Sequence, residues 1–367
     1  MTRRSRSAFW GLAAGLAALC LSGPAGAQAP AFLAPESIAE FGRRDALAVV
    51  RVRAAADLAT LAPLFEAFAA ANPDVAVRLE IWRTNELYLA SAADCRAGTA
   101  QADLLISSAV DLMVKLVNDG CAQPHRSVAT AGLPPEAVWR DELFGVTREP
   151  AVIVYNRELV PAAEAPRSRF DLIDLLRPAD SRYAGRVATY DIEDSGVGYL
   201  FAFADSQAAT TFGGLIEAFG RSGAVATCCS AEIIDAVASG RFLAAYNVLG
   251  SYALARAAVD PRIGVVAPED YTLVLSRPAM IPKDAPHPEA AGRLIDFLLS
   301  EPGRAALARH YLYIRQDPKD PVLAELPASE DSVYRPIRLG PALLLGLDDQ
   351  KRARFLDLWR DAFGPAE

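Results

Sequence analysis

The stretch AVVRVRAAADLATLAPLFEAFAAANPDVAVRLEI, residues 48–81, sets the class of fold. Ala48 to Ala54 is a short, valine-rich run that reads as a strand. Asp57 then opens a helix that puts Leu58, Leu61, Leu64, Phe65 and Phe68 on one face. Asn72-Pro73 stops it, because the residue before a proline is pushed out of helical geometry. Val75 to Ile81 is a second strand. A strand, a crossing helix and a strand imply a parallel pair with a right-handed connection, so an α/β fold is expected.

Outward from this unit the alternation continues. A helix around Leu87 to Cys95, a strand from Asp103 to Ile106 and a helix from Val110 to Asn118 ended by Gly120 come next. After a change of register, strands are expected at Ala151 to Tyr155 and Arg186 to Thr189, and helices at Gly196 to Ala204, Ala208 to Arg221 and Ala231 to Ser239. Strands return at Phe242 to Ala245, Ile263 to Val266 and Thr272 to Leu275, before helices Pro288 to Leu299 and Gly303 to His310. Asp317 to Pro336 reads as an irregular connection to a last amphipathic helix, Asp348 to Phe363.

The first 27 residues read as an export signal. Arg3, Arg4 and Arg6 precede an apolar run, Ala8 to Leu21, too short to span a bilayer, and Ala25-Gly26-Ala27 supplies small residues for cleavage before Gln28. Twin-arginine export lacks its Phe-Leu-Lys, and Cys20 follows Leu19 where a lipoprotein signal wants a small residue, so a free periplasmic protein is expected. Its loss takes the formal charge from -8 to -11, since it holds three arginines and no acid. So acidic a chain, without a basic cluster, argues against nucleic acid. The remaining length of about 340 residues exceeds what one core usually serves. Two lobes are expected, 46–147 with 270–315 and 148–269 with 316–367, joined near Gly145 to Tyr155 and near Ala267 to Leu275. A cleft between them is the place for a solute.

Four cysteines remain. Cys95 and Cys121, each near the end of a helix in one lobe, suit a bridge in an oxidising compartment. A Cys228-Cys229 bridge would close a strained ring, so two packed thiols are expected there. No spacing suggests zinc, and neither metal nor cofactor is expected.

The residues at this point resemble the periplasmic solute-binding proteins of ABC importers, in the branch of the ferric-iron-binding proteins and their organic-anion relatives. The matching pieces are Glu149-Pro-Ala-Val-Ile-Val-Tyr-Asn156, Arg157-Glu-Leu-Val160, Tyr183-Ala-Gly-Arg186, Asp194-Ser-Gly-Val-Gly-Tyr199, Ala238-Ser-Gly240, Tyr246-Asn-Val-Leu-Gly-Ser-Tyr252, His287-Pro-Glu-Ala-Ala291 and Phe297-Leu-Leu-Ser-Glu-Pro-Gly303. The resemblance implies a type II periplasmic-binding-protein fold, each lobe a mixed sheet flanked by helices. It also implies a monomer that hands its solute to an inner-membrane permease or, as in some relatives with a similar C-terminal extension, to a sensor kinase. Iron-binding members carry two adjacent tyrosines after a Gly-Glu. Here Arg241 follows Gly240, no two tyrosines are adjacent, and only His125, His287 and His310 are present. A small organic anion, carboxylate or phosphorylated, is the expected solute, with ferric ion the alternative.

Candidate ligand contacts follow from position. Ser195, Gly196 and Gly198 open a helix, whose free amides attract negative oxygen. Ser107 and Ser108 end a strand, where they either donate to an anion or cap the next helix. Thr84 and Asn85 hold the equivalent place after Ile81, and Ala54-Ala55-Ala56 leaves the backbone open to a ligand, with Asp57 as a cap. Arg148 is expected to grip a carboxylate or phosphate from the crossing segment, with Glu149 fixing it or binding a hydroxyl; an interlobe salt bridge is the other reading. Tyr246, Asn247 and Tyr252 lie where the resemblance places cleft residues, and Cys228-Cys229-Ser230 is expected to pack. Catalysis is not expected: no Gly-x-Ser-x-Gly elbow, base histidine or phosphate-binding glycine loop is in place.

Overall fold

The computed structural model describes residues 33–208, 210–314 and 333–363. The expected export signal and most of the connection 317–336 lie outside the described residues. The chain enters through β1 (Ser37–Phe41) and β2 (Ala48–Ala54), then α1 (Leu58–Ala71), β3 (Val75–Ile81), α2 (Thr84–Arg96), β4 (Leu104–Ile106) and α3 (Val110–Asn118). Short elements follow: β5 (Ala122–Gln123), α4 (Val128–Ala131), β6 (Val138–Trp139) and β7 (Leu143–Gly145). It then passes to β8 (Glu149–Asn156), α5 (Arg169–Leu176), β9 (Val187–Tyr190), α6 (Gly196–Ala208), α7 (Phe212–Ser222), β10 (Val225–Thr227) and α8 (Ser230–Ala238). β11 (Ala244–Leu249), α9 (Gly250–Ala257), β12 (Ile263–Val266) and β13 (Thr272–Leu275) complete that excursion. β14 (Pro278–Pro282), α10 (Pro288–Leu299), α11 (Glu301–Arg309), β15 (Tyr334–Pro336) and α12 (Asp349–Phe363) close the chain.

Two mixed sheets result. The first runs β1-β3-β2-β4-β14-β7-β6, the second β10-β9-β11-β8-β13-β15, with β5 on β14 and β12 on β8. The β2–α1–β3 unit forms as the sequence reads it, parallel and in register from Ala48 opposite Val75 to Ala54 opposite Ile81. Leu61, Leu64, Phe65 and Phe68 of α1 are buried against it. Thr272–Leu275, grouped with the first lobe from sequence, is a strand of the second sheet, since Val274 and Leu275 pair with Pro150 and Glu149. Sheet membership therefore changes at Ser276–Arg277. β1, β14, the short elements β5, α4, β6, β7 and β10, and the helices α5 and α9 escaped the sequence reading, and Tyr334–Pro336, expected within an irregular connection, is the strand β15; β14 is a fully apolar stretch directly behind β13 with no turn signal between them.

The C-terminal segment ties the two halves together. Leu339 N–H donates to Glu136 O at 2.9 Å, Tyr199 of α6 donates to Gly346 O, and residues 341–347 pack on α3. Beneath lies Asp111 of α3, whose carboxyl is pushed from 3.8 up to about 7 by burial, with Arg352 of α12 opposing the shift. Arg352 itself sits over the Tyr199 ring, 4.5 Å from its centroid.

Two disulfides are present. Cys95–Cys121 joins α2 to the residue just ahead of β5 across 26 residues, and Cys228–Cys229 joins neighbours. Only the first closes a loop. Replacing Cys95 and Cys121 by serine should cost roughly 3 kcal/mol of unfolding free energy, whereas replacing Cys228 and Cys229 should shift the urea midpoint little. A pH effect follows from Asp111. Its raised folded-state pKa makes the native state the stronger proton binder between about pH 4 and 7, so stability falls as pH climbs through that window. Asp111→Asn should flatten this slope, with a gain on the order of 2–4 kcal/mol at pH 8 and almost none at pH 4 in urea titrations.

Candidate functional site

Residues 146–148 and 276–277 carry the chain between the sheets, side by side. Val146 N–H donates to Arg277 O at 2.9 Å, Arg277 N–H to Thr147 Oγ1 at 2.8 Å and Ser276 Oγ to Thr147 O at 2.6 Å. Glu149, wholly buried, accepts from Arg277 Nε at 2.8 Å and Nη2 at 3.2 Å, from Thr147 Oγ1 at 2.7 Å and from Ser251 Oγ of α9. Arg277 Nη1 donates to Ala55 O at 2.6 Å. The buried carboxylate and guanidinium thus have partners from both halves, which is the condition under which a buried ion pair holds.

This corrects the expectation for the crossing segment. Glu149 does fix an arginine, but Arg277 and not Arg148. Successive side chains of an extended strand face opposite ways. Arg148 accordingly lies elsewhere: its main chain pairs with Leu312 and Ile314, its guanidinium lies 5.9 Å from the Tyr334 ring centroid, and it lines a separate cavity with Glu136, Arg304 and Tyr313.

The interlobe cleft encloses about 130 Å3, room for a small organic solute. Helix starts surround it. Ala55 to Asp57 lead into α1, Arg83 and Thr84 into α2, and Ser108 into α3; Ser195 and Val197 open α6, Cys229 to Ala231 open α8, and Leu249 and Tyr252 open α9. Trp82, Tyr190 and Arg277 complete the buried wall. Burial pushes the Tyr190 phenol up to about 12, with Ser230 opposing, and raises Tyr252 as well. Among the described residues, no group of three or more His, Cys, Asp or Glu gathers as a metal site.

Several cleft residues hold the halves together directly. Gly196 N–H donates to Thr84 Oγ1 at 3.0 Å, Asn85 Nδ2 to the carbonyls of Asp194 and Glu193 at 3.0 and 3.3 Å, and Asp57 N–H to Tyr252 Oη at 2.9 Å. Arg83 reaches across to Asp194 at 3.7 Å and to Cys228 Sγ at 3.4 Å. Thr84, Asn85, Ser195, Gly196 and Tyr252 therefore meet at the cleft, with Thr84, Asn85, Gly196 and Tyr252 forming a latch between lobes. Ser195 Oγ caps α6 by accepting from Gly198 N–H at 3.1 Å.

Other expected contacts lie away from the cleft. Ser107 accepts from Ala109 N–H at 3.2 Å in the turn ahead of α3, which has no side-chain cap, and leaves the cleft wall to Ser108. Gly198 is a packing glycine, since a Cβ there would come within 2.4 Å of Tyr190 Cβ. Tyr246 and Asn247 face the interior of the second half, where both donate to Asp205, at 2.5 and 2.7 Å, beside the buried Arg169. A bulge between Ala245 and Val248, with Asn247 at φ 59°, turns these side chains to that face. Cys228 and Cys229, expected to pack as thiols, are bridged and line the cleft, Cys229 being exposed. Arg277, Trp82 and Tyr190 were missed. The one available signal was the buried charge of Glu149, which required a cation from somewhere.

Residues 55–305 match the model of the family described as bacterial extracellular solute-binding protein. The substrate-binding protein of an ABC transporter from Agrobacterium tumefaciens is 35% identical over 90% of this chain and 99% of that one, with a TM-score of 0.82. Iron-bound HitA from Pseudomonas aeruginosa shares the fold at 18% identity and a TM-score of 0.64, covering 86% of this chain and 99% of its own. AfuA from Actinobacillus pleuropneumoniae, with fructose 6-phosphate bound, does so at 16% identity and 0.68, covering 87% and 99%. No curated protein sequence matches.

Closure depends on one missing side chain. A Cβ on Gly196 would lie 2.9 Å from both Ala109 Cβ and Thr84 Oγ1, across the cleft. Gly196→Ala should hold the lobes apart, seen as a larger radius of gyration in small-angle scattering, with the unfolding midpoint changed little.

Proposed function

The chain belongs to the bacterial extracellular solute-binding proteins, which deliver solutes to the permeases of ABC importers; from that premise we propose that its solute is a small organic anion, captured in the periplasm by closure of the two lobes. The observation that carries this is the convergence of helix N-termini from both halves on one cleft. Each such end presents unpaired amides and about half a positive charge, so oxygen anions gain from several at once. Arg277 adds a fixed guanidinium at the floor, its Glu149 partner holding it in place.

The mechanism is a shift in population. A ligand that touches α1, α2 and α3 on one side and α6, α8 and α9 on the other makes all its contacts only in the shut form, so binding favours that form for the membrane partner. The latch of Thr84, Asn85 and Tyr252 supplies direct contacts between the lobes in the shut form. A ferric cargo fits less well. Tyr190 and Tyr252 both stand on the cleft, but burial raises both phenols, and each hydroxyl is already hydrogen-bonded, Tyr190 to Ser230 and Leu249 and Tyr252 to Asp57. The fructose 6-phosphate carried by AfuA is in line with a phosphorylated solute in this fold.

The test is a thermal-unfolding and calorimetric screen of the mature protein, refolded to remove bound solute. The panel is inorganic phosphate, fructose 6-phosphate, glycerol 3-phosphate, succinate, citrate, ferric citrate and neutral fructose. An organic anion at about 100 times its dissociation constant should add roughly 2.7 kcal/mol, several degrees of midpoint, and fructose none. Stabilisation by ferric citrate without an effect of citrate would overturn the reading in favour of iron; stabilisation by fructose alone would remove the role of charge.

A further inference from the structure

Charge in the cleft is divided by depth. The buried wall, with Ser108, Ser195, Ser230 and Arg277, presents donors and helix N-termini. The exposed rim carries Glu36, Asp57, Asp194 and Arg83. Arg83 lies 3.7 Å from Asp194, and Arg277 is paired with Glu149. Asp57 and Glu36 are left over: among the described residues, neither forms a salt bridge.

Asp57 also does not perform the task its position suggests. It precedes α1, where an aspartate ordinarily caps the helix, yet its side chain makes no capping hydrogen bond. Partial desolvation at the cleft mouth holds its carboxyl above its ordinary value, with Arg277 and a Tyr252 hydrogen bond opposing this. A simple anion entering such a site would meet favourable amides on the floor and, at the mouth, two carboxylates that lack an ion-pair partner. A ligand that carries a cation beside its anion meets complementary charge at both depths.

We infer that the solute is a zwitterion, its phosphate or carboxylate seated among the helix starts near Ser108, Ser195 and Arg277, and an ammonium group turned to Asp57 and Glu36. This rests on the anion reading and narrows it to amino-bearing anions. The ammonium serves as a selection device as well as an anchor: it cancels the rim charge that disfavours plain anions, so one cleft separates two classes of small anion.

Matched pairs that differ only in the ammonium group provide the test: ethyl phosphate against O-phosphoethanolamine, and propanoate against 3-aminopropanoate, each titrated by calorimetry into the refolded mature protein. One charge-assisted contact should tighten the amino member of a pair about tenfold or more. In Asp57→Asn that ratio should fall toward one, and Glu36→Gln should lower it in the same direction. Equal affinity within both pairs, or a ratio untouched by both substitutions, overturns the zwitterion and leaves the anion reading standing. Failure of every anion to bind, with binding of neutral fructose, overturns the anion reading and this inference together.

Discussion

The Glu149–Arg277 ion pair is the constraint on which the rest of the molecule depends. Glu149 begins the strand that follows the first crossing between sheets, and Arg277 is the second crossing itself. With Thr147 and Ser276 they bind two adjacent extended segments into one buried ribbon. Arg277 then reaches Ala55 on one side, while Glu149 reaches Ser251 on the other. Both halves are thus registered against one fixed charge pair, and a shape-selective cleft can form above it. The pair's net charge is zero, so the floor attracts a ligand mainly through backbone dipoles.

Around this axis the two halves meet through polar contacts at the cleft and, behind it, through apolar packing: Leu87, Val110 and Val114 of α2 and α3 share one buried cluster with Val197, Leu200 and Phe201 of α6. Gly196 brings a helix start of the second half within hydrogen-bonding distance of Thr84, and Asn85 meets the turn ahead of it. The C-terminal segment adds a third tie on α3, away from the cleft, through residues 341–347 and Leu339.

How much of this was legible depends on how local each cause is. The β2–α1–β3 unit could be read because a capping position, a five-residue apolar face and an Asn-Pro stop lie within a single stretch. Ser195 and Gly196 could be expected at the cleft because a serine and glycines mark a helix start that attracts anions, and the resemblance puts that turn at the cleft. Tyr246 and Asn247 were expected at the cleft because the resemblance puts that stretch there, and a bulge in β11 turns both toward Asp205 instead. Arg148 was singled out because it lies beside Glu149 in the expected crossing segment, but adjacency in an extended chain points two side chains apart.

By itself, then, the sequence determined the α/β class, the division into two halves and the helices α1, α2, α3 and α6 whose starts face the cleft, because hydrophobic period, capping residues and proline act over a few residues. Tertiary structure alone decided which arginine answers Glu149, 128 residues away, that neighbouring cysteines are bridged on the cleft wall, and that a polar network around Asp205 takes residues expected at the ligand. Those outcomes depend on which groups are desolvated together, and a buried charge takes whichever partner the folded chain brings beside it.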